Sequence, residues 1–111
     1  MEIQEEKHGG VTVIRPMGAM IQQDAEQVRK RVIDALPRCL GRVVLDASAV
    51  AYVDSKGLEA LLAVTEALQK SGQALRICGM NETVREVLEL TDLAPRFDHY
   101  KDVGDGVRSL L

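Results

Sequence analysis

Three short apolar runs limit what this chain can become: Val11 to Arg15 (VTVIR), Val43 to Leu45 (VVL, closed by Asp46) and Gln73 to Cys78 (QALRIC). Each has the length of a buried strand, and the stretch between each pair repeats its apolar residues with the helical period of three or four. Between the first two runs, Ala25, Val28, Val32, Ala35 and Leu36 fall on one helical face, with Asp24 expected as the cap. Between the second and third, Leu58, Leu61, Leu62, Thr65 and Leu68 do the same from about Lys56 to Ser71, and Gly72 follows as a stop. Strands that alternate with helices imply parallel strands joined by right-handed crossovers.

The remaining elements follow from local chemistry. Glu2 to Lys7 reads as an edge strand, and His8-Gly9-Gly10 as a tight turn into Val11, so a β-hairpin opens the fold. Pro16 carries no N–H and is expected to end the second strand, with Met17 to Gln23 as a connection. Asn81 is expected to cap a helix that reaches about Thr91, with Val84, Val87 and Leu88 inward. Arg96 to Tyr100 gives a last strand. Asp102 to Leu111 gives a final helix, weakened by Gly104 and Gly106. The expected fold is α/β, in the order β-β-α-β-α-β-α-β-α. Its sheet is mixed but mostly parallel, with helices packed on it, in one domain spanning residues 1–111.

Composition narrows the function. With aromatics at 3% and no Trp, the core must be built from aliphatic residues, which suits helices on a parallel sheet. A net charge of −3 without a basic run gives no footprint for nucleic acid. Arg29, Lys30 and Arg31 sit among Asp24, Glu26 and Asp34 and read as a solvated helix face. Cys39 and Cys78 have neither disulfide-framework nor metal-ligand spacing; Cys78 reads as a small core residue and Cys39 as an exposed loop residue. The N-terminal stretch lacks the apolar segment of a signal peptide, and no run is long enough to span a bilayer. A soluble cytoplasmic protein without cofactor or metal is expected.

The stretch with most chemical content is Val43 to Leu62, VVLDASAVAYVDSKGLEALL: a strand, a loop, and a helix whose first turn carries Ser55. In parallel α/β folds, function gathers where strands end and helices begin. A helix start offers unpaired N–H groups and partial positive charge, which suits a phosphate on Ser55. Serine and aspartate are also the commonest caps, so spacing alone leaves Ser55 open between a plain cap and a switch. Asp46 reads as a structural carboxylate at a strand end. Gly57, lacking a Cβ, would let a partner approach the backbone closely. Met17, Met20 and Ile21 either form an apolar contact patch or fold under the first helix. An enzyme is not expected: Ser55 lacks a GxSxG setting, and neither His8 nor His99 has a context that ties it to a nucleophile.

The segment LDASAVAYVDSKGLEALL resembles the signature of the STAS domain, the family of anti-sigma-factor antagonists and of the cytoplasmic domains of sulfate transporters. Asp46, Ser48, Val50, Asp54, Ser55, Gly57 and Leu58 fall on its pattern. The likeness extends through the Gly18 connection, SGQALRICGM and VREVLELTDLAPRF. It implies that Ser55 is a phosphorylation site and that Asp54, Ser55, Lys56, Gly57, Leu58 and Ile21 form a partner-binding face. The implied partner is an anti-sigma serine kinase, with a phosphatase reversing the modification. Lys56 replaces the usual second Ser or Thr, and Ile21 stands where antagonists commonly carry an Asp. The second of these leaves open a constitutive scaffold subunit of a transporter or sensory complex, without obligatory phosphorylation.

Overall fold

The computed structural model describes residues 1–111. The elements are β1 (Glu2–His8), β2 (Val11–Met20), α1 (Gln22–Ala35), β3 (Val43–Asp46), β4 (Val50–Val53), α2 (Ser55–Gln69), β5 (Arg76–Cys78), α3 (Glu82–Leu90), a 3-10 turn (Ala94–Arg96), β6 (Asp98–Tyr100) and α4 (Val103–Arg108). The six strands form a mixed sheet in the order β1-β2-β3-β5-β6, and β4 adds to β2. Only β1 runs antiparallel to its neighbour. The α/β class and the mostly parallel sheet are as the sequence predicts.

The hairpin is set by its turn. Gly9 and Gly10 both take positive φ, +58° and +93°, which gives the two-residue turn its primed handedness and pairs His8 with Val11. Residues within β3 then alternate between faces. Val43 and Leu45 enter a core of 19 buried residues beneath α1, α2 and α3, whereas Val44 enters a second cluster of five with Val11, Val13, Cys78 and Val107. Full burial of one such aliphatic side chain contributes about 1.5–3 kcal/mol. The first cluster therefore dominates stability, and α4 holds its smaller face weakly.

Four local expectations differ from the structure. The second strand does not end at Pro16 but continues to Met20. Pro16 lies between the last rung to β3, Ile14 with Leu45, and the first rung to β4, Gly18 with Val50, so the missing N–H falls in a gap between partners. The loop after Asp46 contains the strand β4, whose buried residues Val50 and Val53 stand three apart and so show no period-two pattern. Asp24 is not the cap of α1: Ile21 holds that position, and Asp24 lies inside the first turn. Cys39 is buried rather than exposed, its thiol donating to the Ala35 carbonyl at 3.1 Å.

Thr65 lies fully buried on the apolar face of α2 because its hydroxyl has two partners. It donates to the Arg96 carbonyl at 2.8 Å and accepts the Leu75 N–H at 3.1 Å, which ties α2 to the start of β5 and to the 3-10 turn.

Candidate functional site

The site forms where β2 and β4 end side by side and each leads into a helix. Met20 pairs with Val53, and the next residues start α1 and α2. This register brings Ile21 beside Asp54 across more than thirty residues of sequence.

Asp54 settles which residue caps α2. It has extended backbone angles (φ −99°, ψ −170°), and its Oδ1 accepts the Gly57 N–H at 2.8 Å. Asp54 is the cap, and Ser55 is the first helical residue, exposed to solvent. Its hydroxyl is therefore not committed to capping. The other carboxylate oxygen of Asp54 accepts the Gln22 N–H at 3.1 Å. Ile21 has no side chain able to cap α1, so Asp54 serves the first N–H of that helix from a distance. One carboxylate thus holds the starts of two helices.

The other residues of the stretch divide by exposure. Lys56 is exposed, and its Nζ lies 3.4 Å from the Glu59 carboxylate, a surface pair worth little by itself. Leu58 is half-buried against the main core, and Ile21 is half-buried. Gly57 is buried. A Cβ there would lie 2.4 Å from the Met20 carbonyl oxygen and 3.1 Å from the Val53 Cβ. A close backbone approach at Gly57 is thus made inside the fold, by the Met20 carbonyl of β2. Met20 is 1% exposed and lies in the core, which decides its placement in favour of folding inward.

Asp46 lies on the other face of the sheet. Its Oδ1 accepts the Ser48 N–H at 3.0 Å, and its Oδ2 lies 3.6 Å from Arg15 Nε. The fold does not bring it to Asp54. Neither histidine meets Ser55: His8 pairs with Glu6 at the hairpin end of β1, and His99 Nε2 lies 2.7 Å from the Ala94 carbonyl near the far edge. Burial, with Asp46 and Asp102 nearby, pushes the Cys78 thiol up to about 12 and keeps it neutral. Gln22 and the Met20 carbonyl are the site components that residue patterns did not reveal. Only the pairing of β4 with β2 places them there.

Comparison with known proteins places the fold in a family. Residues 2–106 match the family model of the STAS domain. The anti-sigma F factor antagonist of Paenibacillus polymyxa is 26% identical over 95 residues, covering 84% of this chain and 80% of that one. An anti-sigma factor antagonist from Mycobacterium paratuberculosis has a similar structure, with a TM-score of 0.83 at 24% identity over 97% of this chain and 92% of that one. The phosphorylated form of the Bacillus cell fate determinant SpoIIAA gives a TM-score of 0.72 at 18% identity, covering 99% of this chain and all of that one. No helix is long and apolar enough to cross a membrane. The chain belongs to the STAS domain family.

Proposed function

We propose that this chain is a regulatory protein-interaction domain of the anti-sigma-factor-antagonist type. In this reading it binds an anti-sigma serine kinase in the cytoplasm and is released when Ser55 is phosphorylated. The observation that carries the reading is the position of Ser55: exposed, first in α2, and relieved of capping by Asp54. The antagonist relatives support the same role.

The chemistry is a phosphoryl transfer in which the kinase is the enzyme and this chain the substrate. The Ser55 Oγ bonds to the γ-phosphorus of ATP, the bond to the ADP oxygen breaks, and the hydroxyl proton leaves to solvent. The product adds about −1.5 to −2 charges at pH 7 next to the Asp54 carboxylate. A partner surface that fits the bare hydroxyl loses both shape and charge complementarity. Asp54 and Gly57 hold the turn in place, while Ser55, Lys56, Leu58 and Ile21 contribute the contact face. A phosphatase restores the binding form.

The test is incubation of the purified chain with ATP and the anti-sigma kinases of its host, followed by mapping of phosphate by mass spectrometry and titration of binding. Phosphate on Ser55, with Ser55→Ala still binding and Ser55→Asp not, is the expected result. Equal binding by both variants, with Ser55 unmodified by every kinase, removes the reading in favour of a constitutive scaffold.

A further inference from the structure

Asp54 ties two helix starts together, and this has a consequence for how a modification at Ser55 is read out. α1 has no cap of its own, because Ile21 cannot supply one. The Gln22 N–H is held by Asp54 Oδ2 at 3.1 Å, and Gln22 has φ +50°, a left-handed conformation unfavourable for a residue with a Cβ. The other oxygen of the same carboxylate holds the Gly57 N–H at 2.8 Å. The two hydrogen bonds share one rigid planar group, so the carboxylate cannot turn away from α2 without disturbing α1. Next to this tie the two helices enclose an open groove of about 290 Å³, lined from α1 by Gln22 and Glu26 and from α2 by Lys56 and Glu59.

We infer that Asp54 is a positioning residue that transmits phosphorylation of Ser55 to the first turn of α1, so that residues 21–25 belong to the switched surface. This rests on Ser55 being the modified residue. A phosphate on Ser55 repels the adjacent carboxylate and competes with it for the N–H groups at the start of α2. The carboxylate swings away and releases the Gln22 N–H. Gln22 then relaxes from its left-handed conformation, and the bonds that begin α1 weaken: the Asp24 and Ala25 N–H groups to the Ile21 carbonyl, at 3.0 and 3.4 Å. A partner that reads both sides of the groove loses a second contact, some distance from the phosphate.

The test installs phosphoserine at position 55 during translation, so that no kinase is needed, and follows amide exchange by NMR in the full chain. Phosphorylation is expected to speed exchange at Gln22 about tenfold, as befits loss of one hydrogen bond to a charged acceptor. The Val64 amide, in the middle of α2, stays unchanged. Asp54→Asn keeps one acceptor oxygen for Gly57 but presents an N–H₂ group to Gln22. Gln22 should therefore exchange fast in this variant already, and phosphorylation should add nothing. Gln22→Gly is a second variant that takes the positive φ without strain. In it, Asp24 and Ala25 should keep their protection when Ser55 is phosphorylated. An unchanged Gln22 in the phosphorylated chain overturns the inference. So does uniform acceleration across α2, or a phosphate effect of wild-type size in Asp54→Asn. Because the phosphate is supplied directly, failure here leaves the kinase reading intact, and the lack of a kinase leaves this coupling intact.

Discussion

Gly57→Ala tests whether the closeness of α2 to β2 is what holds Ser55 in place. A Cβ at position 57 would sit 2.4 Å from the Met20 carbonyl oxygen, about 1 Å inside an ordinary contact, and 3.1 Å from the Val53 Cβ. The Met20 oxygen is backbone in a paired strand and cannot rotate aside, so the first turn of α2 must lift. Overpacking of this kind costs about 1–3 kcal/mol, and here the value belongs at the upper end. The better helix propensity of alanine returns at most about 1 kcal/mol. The net loss is about 2 kcal/mol, which for a chain of this size lowers Tm by roughly 10 °C. Gly72→Ala is the control. It has φ +74° but nothing within 4 Å, so it carries backbone strain alone and should lose only about 1 kcal/mol. Thermal and urea unfolding followed by circular dichroism give both numbers. The same spectra series by NMR should show the Gln22 amide shifting in Gly57→Ala, since Asp54 moves with α2. A Gly57→Ala protein that melts within about 2 °C of the parent would refute the packing argument.

Other expectations follow from polar groups with defined partners and from a buried thiol. Thr65→Val keeps the shape but leaves the Leu75 N–H and the Arg96 carbonyl without their partner. It should cost about 2–3 kcal/mol in urea unfolding. Asn81 accepts the Val84 N–H at 2.8 Å and donates to the Val50 and Ala51 carbonyls, covering the outer edge of β4. Asn81→Ala should lose about 2 kcal/mol, more than an isolated cap, and exchange should rise in β4 as well as in α3. Cys78, with a thiol raised from about 9 to about 12 in the folded chain, favours folding fully below pH 9 and loses that contribution as pH rises towards 12. Denaturant titrations should therefore show Cys78→Ala losing less stability than the parent across that range. Below pH 8 the native Cys78 thiol should react with iodoacetamide only at the rate of opening.

The helices could be read from the sequence because each has a burial face that the 3.6-residue period records. Ala25, Val28, Val32 and Ala35 are buried as that spacing requires, and Asn81 caps α3 as its chemistry requires. The hairpin could be read because two adjacent glycines permit few other turns. What could not be read lies in pairings between distant segments. β4 has only four residues, two of them exposed, and exists because the end of β2 has a free edge at Gly18 to Met20. Residue type and spacing leave Asp54 and Ser55 equivalent as caps; the extended backbone of Asp54 and its bond from the Gly57 N–H decide between them. Cys39 lies just beyond α1 in a segment that loop chemistry assigns to solvent, yet the end of α1 folds over it. Thr65 reads as apolar because a satisfied hydroxyl and a methyl leave the same periodic trace.

The way β2 is shared bears on the order of folding. β2 pairs with β1 through a two-residue turn, a local contact of the kind that forms in about 1–10 μs. Its other edge is divided, the early half pairing with β3 and the late half with β4, and both partners come from much further along the chain, contacts of the slower, non-local kind. Ser55 lies two residues beyond the end of β4. A chain in which β4 has not paired with the late half of β2 lacks the turn that presents Ser55, the residue proposed for modification. An enzyme that recognised the folded turn would act only on molecules in which both halves of this one strand edge are filled.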